Sequence, residues 1–203
     1  MRSSVVADPD PVIAEDPVGS VVDAAIGPDG LATATFDENR DYRYRLSRVW
    51  DDRLPRVVWC MLNPSTASAF RSDPTINRVI SFSRSWGFGA AEVVNLFALR
   101  SPSPTKLLWA RDPVGPDNDG AVAEAVTTGH FVVVAWGNHG SFVNPLTGTP
   151  RSDEIRALLN QCDVEVHCLR LTKRLQPEHP LYVHSGTAPI IWTQAQPPRT
   201  PHR

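Results

Sequence analysis

A chain of 203 residues, 41% of them hydrophobic, can bury one substantial core, and one domain with tails is the simplest account. The formal net charge of −2 and a pI near 6.3 supply no overall basic field, so any contact with nucleic acid must come from a local patch. The three cysteines (Cys60, Cys162, Cys168) lie on apolar stretches without a CxxC pair, and no charged-then-apolar leader or bilayer-length apolar run occurs; core thiols, no metal, no cofactor, no membrane contact and a reducing cytoplasm are therefore expected.

In chain order, residues 1–30 mix Pro9, Pro11, Pro17 and Pro28 with acidic and small residues and lack periodicity, which reads as a disordered tail. Residues 194–203, with Pro197, Pro198 and Pro201, read the same way, leaving 31–193 as a single α/β domain. Thr33 to Phe36 and Tyr42 to Trp50 alternate large or β-branched residues with polar ones around Asp37-Glu38-Asn39, the pattern of a β-hairpin. Val57 to Leu62 is then a near-continuous apolar run of strand length, ended by Asn63-Pro64-Ser65-Thr66.

Pro74 to Trp86 places Ile76, Val79, Ile80 and Ser83 at helical spacing, with Asp73 placed to cap and Gly87 to stop the helix. A second strand, Val93 to Phe97, carries Asn95 within it. A weak helix near Thr105 to Ala110 and a better one from Asp119 to Thr127 lead to the strongest strand signal, Phe131 to Trp136, which stops at Gly137-Asn138-His139-Gly140. A helix over Ser152 to Gln161 precedes the fourth strand, Val164 to Leu171, and a basic loop with Lys173 and Arg174 leads to His179-Pro180.

Strands alternating with helices favour right-handed parallel crossovers, so the expected fold is a four-stranded parallel sheet flanked by helices, a helix–sheet–helix sandwich with an N-terminal β-hairpin. Ligands of such sheets bind beyond the carboxyl ends of the strands. The breaks after three strands, together with Asn95, fall at that edge and point to one site.

Each residue there admits two readings. Asn63 either holds a water or ligand oxygen or closes an Asx turn with Pro64. Asn95, an amide in an apolar strand, either reads the edge of a base with its paired donor and acceptor or bonds to neighbouring backbone. Asn138 and His139 either face the crevice or form a plain turn. His179 either contacts developing negative charge, with Lys173 and Arg174 neutralising a phosphate, or is structural. Phe70 lies outside the helical pattern and is a candidate to stack on a base. Asp73 and Asp117-Asn118-Asp119 could hold a metal or act as a general base, but are read more simply as helix caps.

Two resemblances follow. Over Tyr42 to Val183, the strings LNPSTA, DPTINR, WGFG, VVNLFALR, DPVGPDND and HPLYV resemble a bacterial and phage family, domain-of-unknown-function family 1643, which names no activity. More distantly, the order of four short motifs resembles the uracil-DNA glycosylase superfamily, whose members share a four-stranded parallel sheet and flip a base into a pocket at its edge.

In that resemblance Cys60 to Ser65 (CMLNPS) matches the motif whose asparagine positions the attacking water, which implies that role for Asn63, with Pro64 and Ser65 beside the base. EVVN, ending at Asn95, matches the strand that reads the pyrimidine, VAWGNH matches the third-strand segment, and HPLYVHSG implies His179 as the electrophile and Leu181 as a wedge. Met61 replaces the usual glycine, no acidic residue or tyrosine follows Pro64, and Leu181 replaces the expected serine.

The implied function is cofactor-free hydrolysis of the N-glycosidic bond of a flipped pyrimidine in DNA, duplex or single-stranded. The small Ser65 would leave room for a 5-substituent. The alternatives are a binding module for a nucleotide or damaged base that does not cleave, and an enzyme on free nucleosides or nucleotides; no obligate protein partner is implied.

Overall fold

The computed structural model describes residues 20–27 and 30–193. The expected tail at 194–203 lies outside them, as does that at 1–30 up to residue 19. Among the described residues eight strands form one sheet: β1 (Val21–Gly27), β2 (Gly30–Phe36), β3 (Arg43–Val49), β4 (Arg56–Met61), β5 (Ala90–Asn95), β6 (Phe131–Val134), β7 (Val166–Cys168) and β8 (Ile190–Ile191). Three α-helices, α1 (Pro74–Ser85), α2 (Asn118–Thr128) and α3 (Arg151–Gln161), connect the central strands. The sheet order is β1-β2-β3-β5-β4-β6-β7-β8.

All four apolar runs become strands, and they pair in parallel in the order β5-β4-β6-β7. The expectation of a four-stranded parallel sheet nevertheless needs correcting. The sheet is mixed and twice as wide, with antiparallel pairing in β1·β2, β2·β3, β3·β5 and β7·β8. The hairpin of β2 and β3 is not a separate appendage: Leu46 lies beside Val93, so the hairpin continues the sheet from β5. The segment 21–27, placed by sequence in a disordered tail, pairs along its whole length with β2 as an edge strand.

Helices cover both faces of the sheet. Ile76, Val79, Ile80 and Phe82 of α1 pack with Trp59, Met61, Ala91, Val93 and Val133 on one face. Val122 and Val126 of α2 and Ile155 and Leu159 of α3 pack with Val58, Cys60, Val94 and Val134 on the other. Burying this apolar surface is the main stabilising term. The sequence run at Thr105 to Ala110 is a 3-10 turn, Pro104–Trp109, with only Leu107 buried. Burial pushes the thiol of Cys60 up to about 12 and that of Cys168 up to about 11, so both are unreactive core groups.

β5 is pinned by charge as well as by its ladder. Glu92 is 1% exposed; its Oε1 accepts from Nε of Arg45 on β3, and its Oε2 lies 3.1 Å from Nη1 of Arg56 on β4. Arg45 also donates to Glu124 of α2 at 2.7 Å. Replacing Glu92 by Gln removes the shared carboxylate, leaving Arg56 without its carboxylate and Arg45 with Glu124 alone. A loss of about 2 kcal/mol is expected, since the arginines are only partly buried. Urea unfolding measures it, and an unchanged midpoint would show that the carboxylate does not clamp the strand.

Candidate functional site

The carboxyl ends of the parallel strands stop in step. Met61, the last residue of β4, pairs with Asn95, the last of β5, and Cys60 pairs with Val134 at the end of β6. Beyond them opens a crevice of about 720 Å³. Its walls are the turn after β4, the end of β5, the start of α1, the turn after β6 and the segment after β7.

Asn63, Asn95 and His179 all line this crevice, although the sequence sets them far apart. Ser65, Asn138 and His139 line it too, as do Arg174 and Leu181. Three expected site residues do not. Pro64 is buried below the wall, where its carbonyl accepts from the Ser101 amide. Phe70 is 72% exposed away from the crevice, so it is not placed to stack on a ligand there. Lys173 points from the exposed loop and is not part of the lining.

Asn63 closes the turn that one of its two readings expects. Its Nδ2 donates to the carbonyls of Pro64 at 2.9 Å and Ser101 at 2.8 Å, closing the turn. With both donors used, the amide is held in one orientation, and Oδ1 keeps no partner among the described residues.

Asn95 is 1% exposed, and its Nδ2 is buried with no hydrogen-bond partner. Such an amide costs about 1–3 kcal/mol unless something outside the protein accepts from it. The backbone around it, by contrast, is held firmly. Asn118, buried in the first turn of α2, donates to the carbonyls of Asn95 and Leu96 at 3.0 Å each, and Arg151 donates to Leu96 at 2.8 Å. The asparagine read from sequence as part of a capping cluster therefore fixes the end of β5 from behind.

His179 enters through a turn that the sheet does not itself provide. Gly137 adopts φ of 73°, which lets the chain reverse after β6, and its amide donates to Pro177 at 2.7 Å. A Cβ at Gly137 would sit 3.7 Å from that of His179. Arg78 of α1 donates to the carbonyls of Pro180 and Val183, tying the His-Pro segment to the helix. Nδ1 of His179 accepts from the Leu181 amide at 3.4 Å, which leaves the proton on Nε2. Burial pushes the imidazole down to about 4, with Asp73 opposing the shift, so the ring is neutral at physiological pH.

Two charged residues in the lining were not expected at the site from the sequence: Asp73, read there as a cap in preference to a general base, and Arg43. Asp73 accepts from the Ile76 amide at 2.9 Å as the cap of α1, and it also faces the crevice. Its capping role was legible; its second role needed the tertiary fold. Arg43, at the start of β3, reads as one polar position in an alternating strand, yet it is 2% exposed and lines the same wall. Thr172 donates to Oδ1 of Asn138 at 2.7 Å, joining the β6 and β7 turns. Among the described residues no three His, Cys, Asp or Glu side chains gather where they would hold a metal ion, and no helix is long and apolar enough to cross a membrane.

The pKa of His179 lies below its ordinary value of 6.5. The unfolded chain thus binds a proton that the folded chain refuses. Its contribution to stability is complete above pH 6.5 and is lost as pH falls towards about 4. A nitrogen-15 titration should find this ring as the Nε2–H tautomer with a midpoint near 4, and replacing His179 by Gln should flatten that part of the stability profile. A midpoint near 6.5 would refute the buried, neutral assignment.

No curated protein and no solved structure matches the chain. Residues 43–181 match the model of a family described as "Protein of unknown function (DUF1643)". That span begins at Arg43 and ends at Leu181, both in the crevice lining, and takes in the whole parallel part of the sheet. From a match over more than half its length, the chain belongs to the DUF1643 family.

Proposed function

We propose that the crevice receives a pyrimidine base and that the protein hydrolyses its N-glycosidic bond, as a DNA glycosylase would. The observation that carries this reading is the Asn95 amide, buried without a partner in a crevice that Asn63 and His179 also line. A pyrimidine offers an acceptor to Nδ2 and, beside it, a donor to Oδ1, so one carboxamide satisfies both.

In the proposed reaction a water accepted by Asn63 Oδ1 attacks the anomeric carbon. The bond from that carbon to the base nitrogen breaks, and its electron pair leaves with the base. Negative charge builds on the pyrimidine carbonyl oxygen, where the Nε2–H of neutral His179 donates to it. The water's proton passes to Asp73, the carboxylate on the wall whose other oxygen caps α1. Ser65 is small and in the lining, which suits a base carrying a 5-substituent.

The test is release of base from duplex and single-stranded DNA containing uracil, thymine or 5-modified pyrimidines, read as abasic sites. Cleavage of at least one 5-modified base is expected. His179→Ala should slow it about 100-fold or more, the usual cost of losing a donor to a developing oxyanion. Asn95→Asp should abolish it by setting a carboxylate against the base, whereas Asn63→Asp should preserve or raise it. Tight binding without base release would leave a recognition module and sink the hydrolytic reading.

A further inference from the structure

Two other arginines that reach into this fold, one buried and one partly buried, have carboxylate partners. Arg151, 1% exposed, donates to Glu154, Asp119 and the Leu96 carbonyl, and Arg45 donates to Glu92 and Glu124. Arg43 is treated differently. It is 2% exposed, its Nη1 donates to the Ala67 carbonyl at 2.6 Å, and its Nε is buried with no partner. Nη2 makes no hydrogen bond among the described residues, and no carboxylate there lies within ion-pair distance of the group.

The fold explains why this cation stands where it does. β3 runs antiparallel to β5, so the amino end of β3 lies beside the carboxyl end of β5, and the Arg43 amide donates to Ala98 at 2.9 Å. A single arginine from the hairpin is thereby delivered to the wall that also holds Asn95. Burial lowers its pKa to about 9, with Asp73 opposing through space, so the guanidinium keeps its charge at neutral pH. A buried charge without a bonded counter-ion is costly, and a planar fork of free N–H donors matches an oxyanion with two exposed oxygens.

We propose that Arg43 is the phosphate-binding residue of the crevice, so that its ligand is a pyrimidine nucleotide held at the base by Asn95 and at the phosphate by Arg43. The inference rests on the reading of the crevice as a pyrimidine site. The volume of about 720 Å³ suits a ligand of this size. The phosphate is either the terminal group of a mononucleotide or the diester flanking a base within a DNA strand, and the two are separable.

Calorimetric binding of a pyrimidine nucleoside, its 5′-monophosphate and a short single-stranded oligonucleotide tests the assignment, with inorganic phosphate as the probe of the subsite alone. The monophosphate or the oligonucleotide should bind about 10-fold or more tighter than the nucleoside. Arg43→Gln should erase that preference while leaving nucleoside affinity in place, and Arg43→Lys should recover only part of it. The form that loses affinity in Arg43→Gln identifies the source of the phosphate.

Because Arg43 also holds the Ala67 carbonyl, the Gln variant is checked by its thermal midpoint. If it does not fold, the Nε–H resonance of Arg43 in the unaltered protein decides: inorganic phosphate should shift it. Equal binding of nucleoside and phosphorylated ligands, with no such shift, overturns the Arg43 assignment and leaves the base site standing. A phosphate shift without nucleoside binding keeps the anion subsite and rejects the pyrimidine reading.

Discussion

The common register of the parallel strands is the constraint from which the rest of this molecule follows. Met61 beside Asn95 and Cys60 beside Val134 bring three strands to an end at one level. Beyond that level the ladder carries on only briefly, from Leu96 to Met61 and from Phe97 to Leu62, and the turns supply other partners themselves. They do so sparingly. Ser101, Pro64 and Pro177 carbonyls absorb the nearby amides, and the donors left over are side-chain ones, on Asn95 and Arg43. The polarity of the crevice is what remains after the backbone has been served.

Much of this was legible in the sequence, for identifiable reasons. Strands β4 and β6 are apolar on both faces because helices cover both, so their runs stand out. The helix α1 announces itself by Asp73, Pro74 and its buried stripe. Strand β1 does not, because an edge strand with half-exposed residues needs neither a continuous run nor a clean alternation, and its stability comes from pairing with β2. The sheet's width was missed for the same reason: nothing local in β3 specifies that Leu46 will meet Val93.

The site was legible where a polar residue interrupts an apolar run, as at Asn95, and illegible where a polar residue sits in an ordinary polar slot. Arg43 occupies a position of β3 at which alternation calls for a polar side chain, and only the neighbouring β5 turns that slot into a buried wall. Phe70 shows the converse. It was singled out because it belonged to no pattern, and the loop that carries it is held by Arg43 and Arg48 through the carbonyls of Ala67 and Ser68, with the ring left outside.

Helix α1 carries Asp73 at its cap and, a turn further on, Arg78, which grips the carbonyls of Pro180 and Val183. Asp73 and the segment that bears His179 are thus both tied to one helix, while Asn95 ends β5 and Asn63 follows β4 by two residues. A tilt of that helix would carry Asp73 and His179 together, opening or narrowing the gap to Asn63 and Asn95 without disturbing the spacing within either pair. The cleft thus has two walls of different origin, one carried by a helix twelve residues long and the other by the ends of the parallel strands.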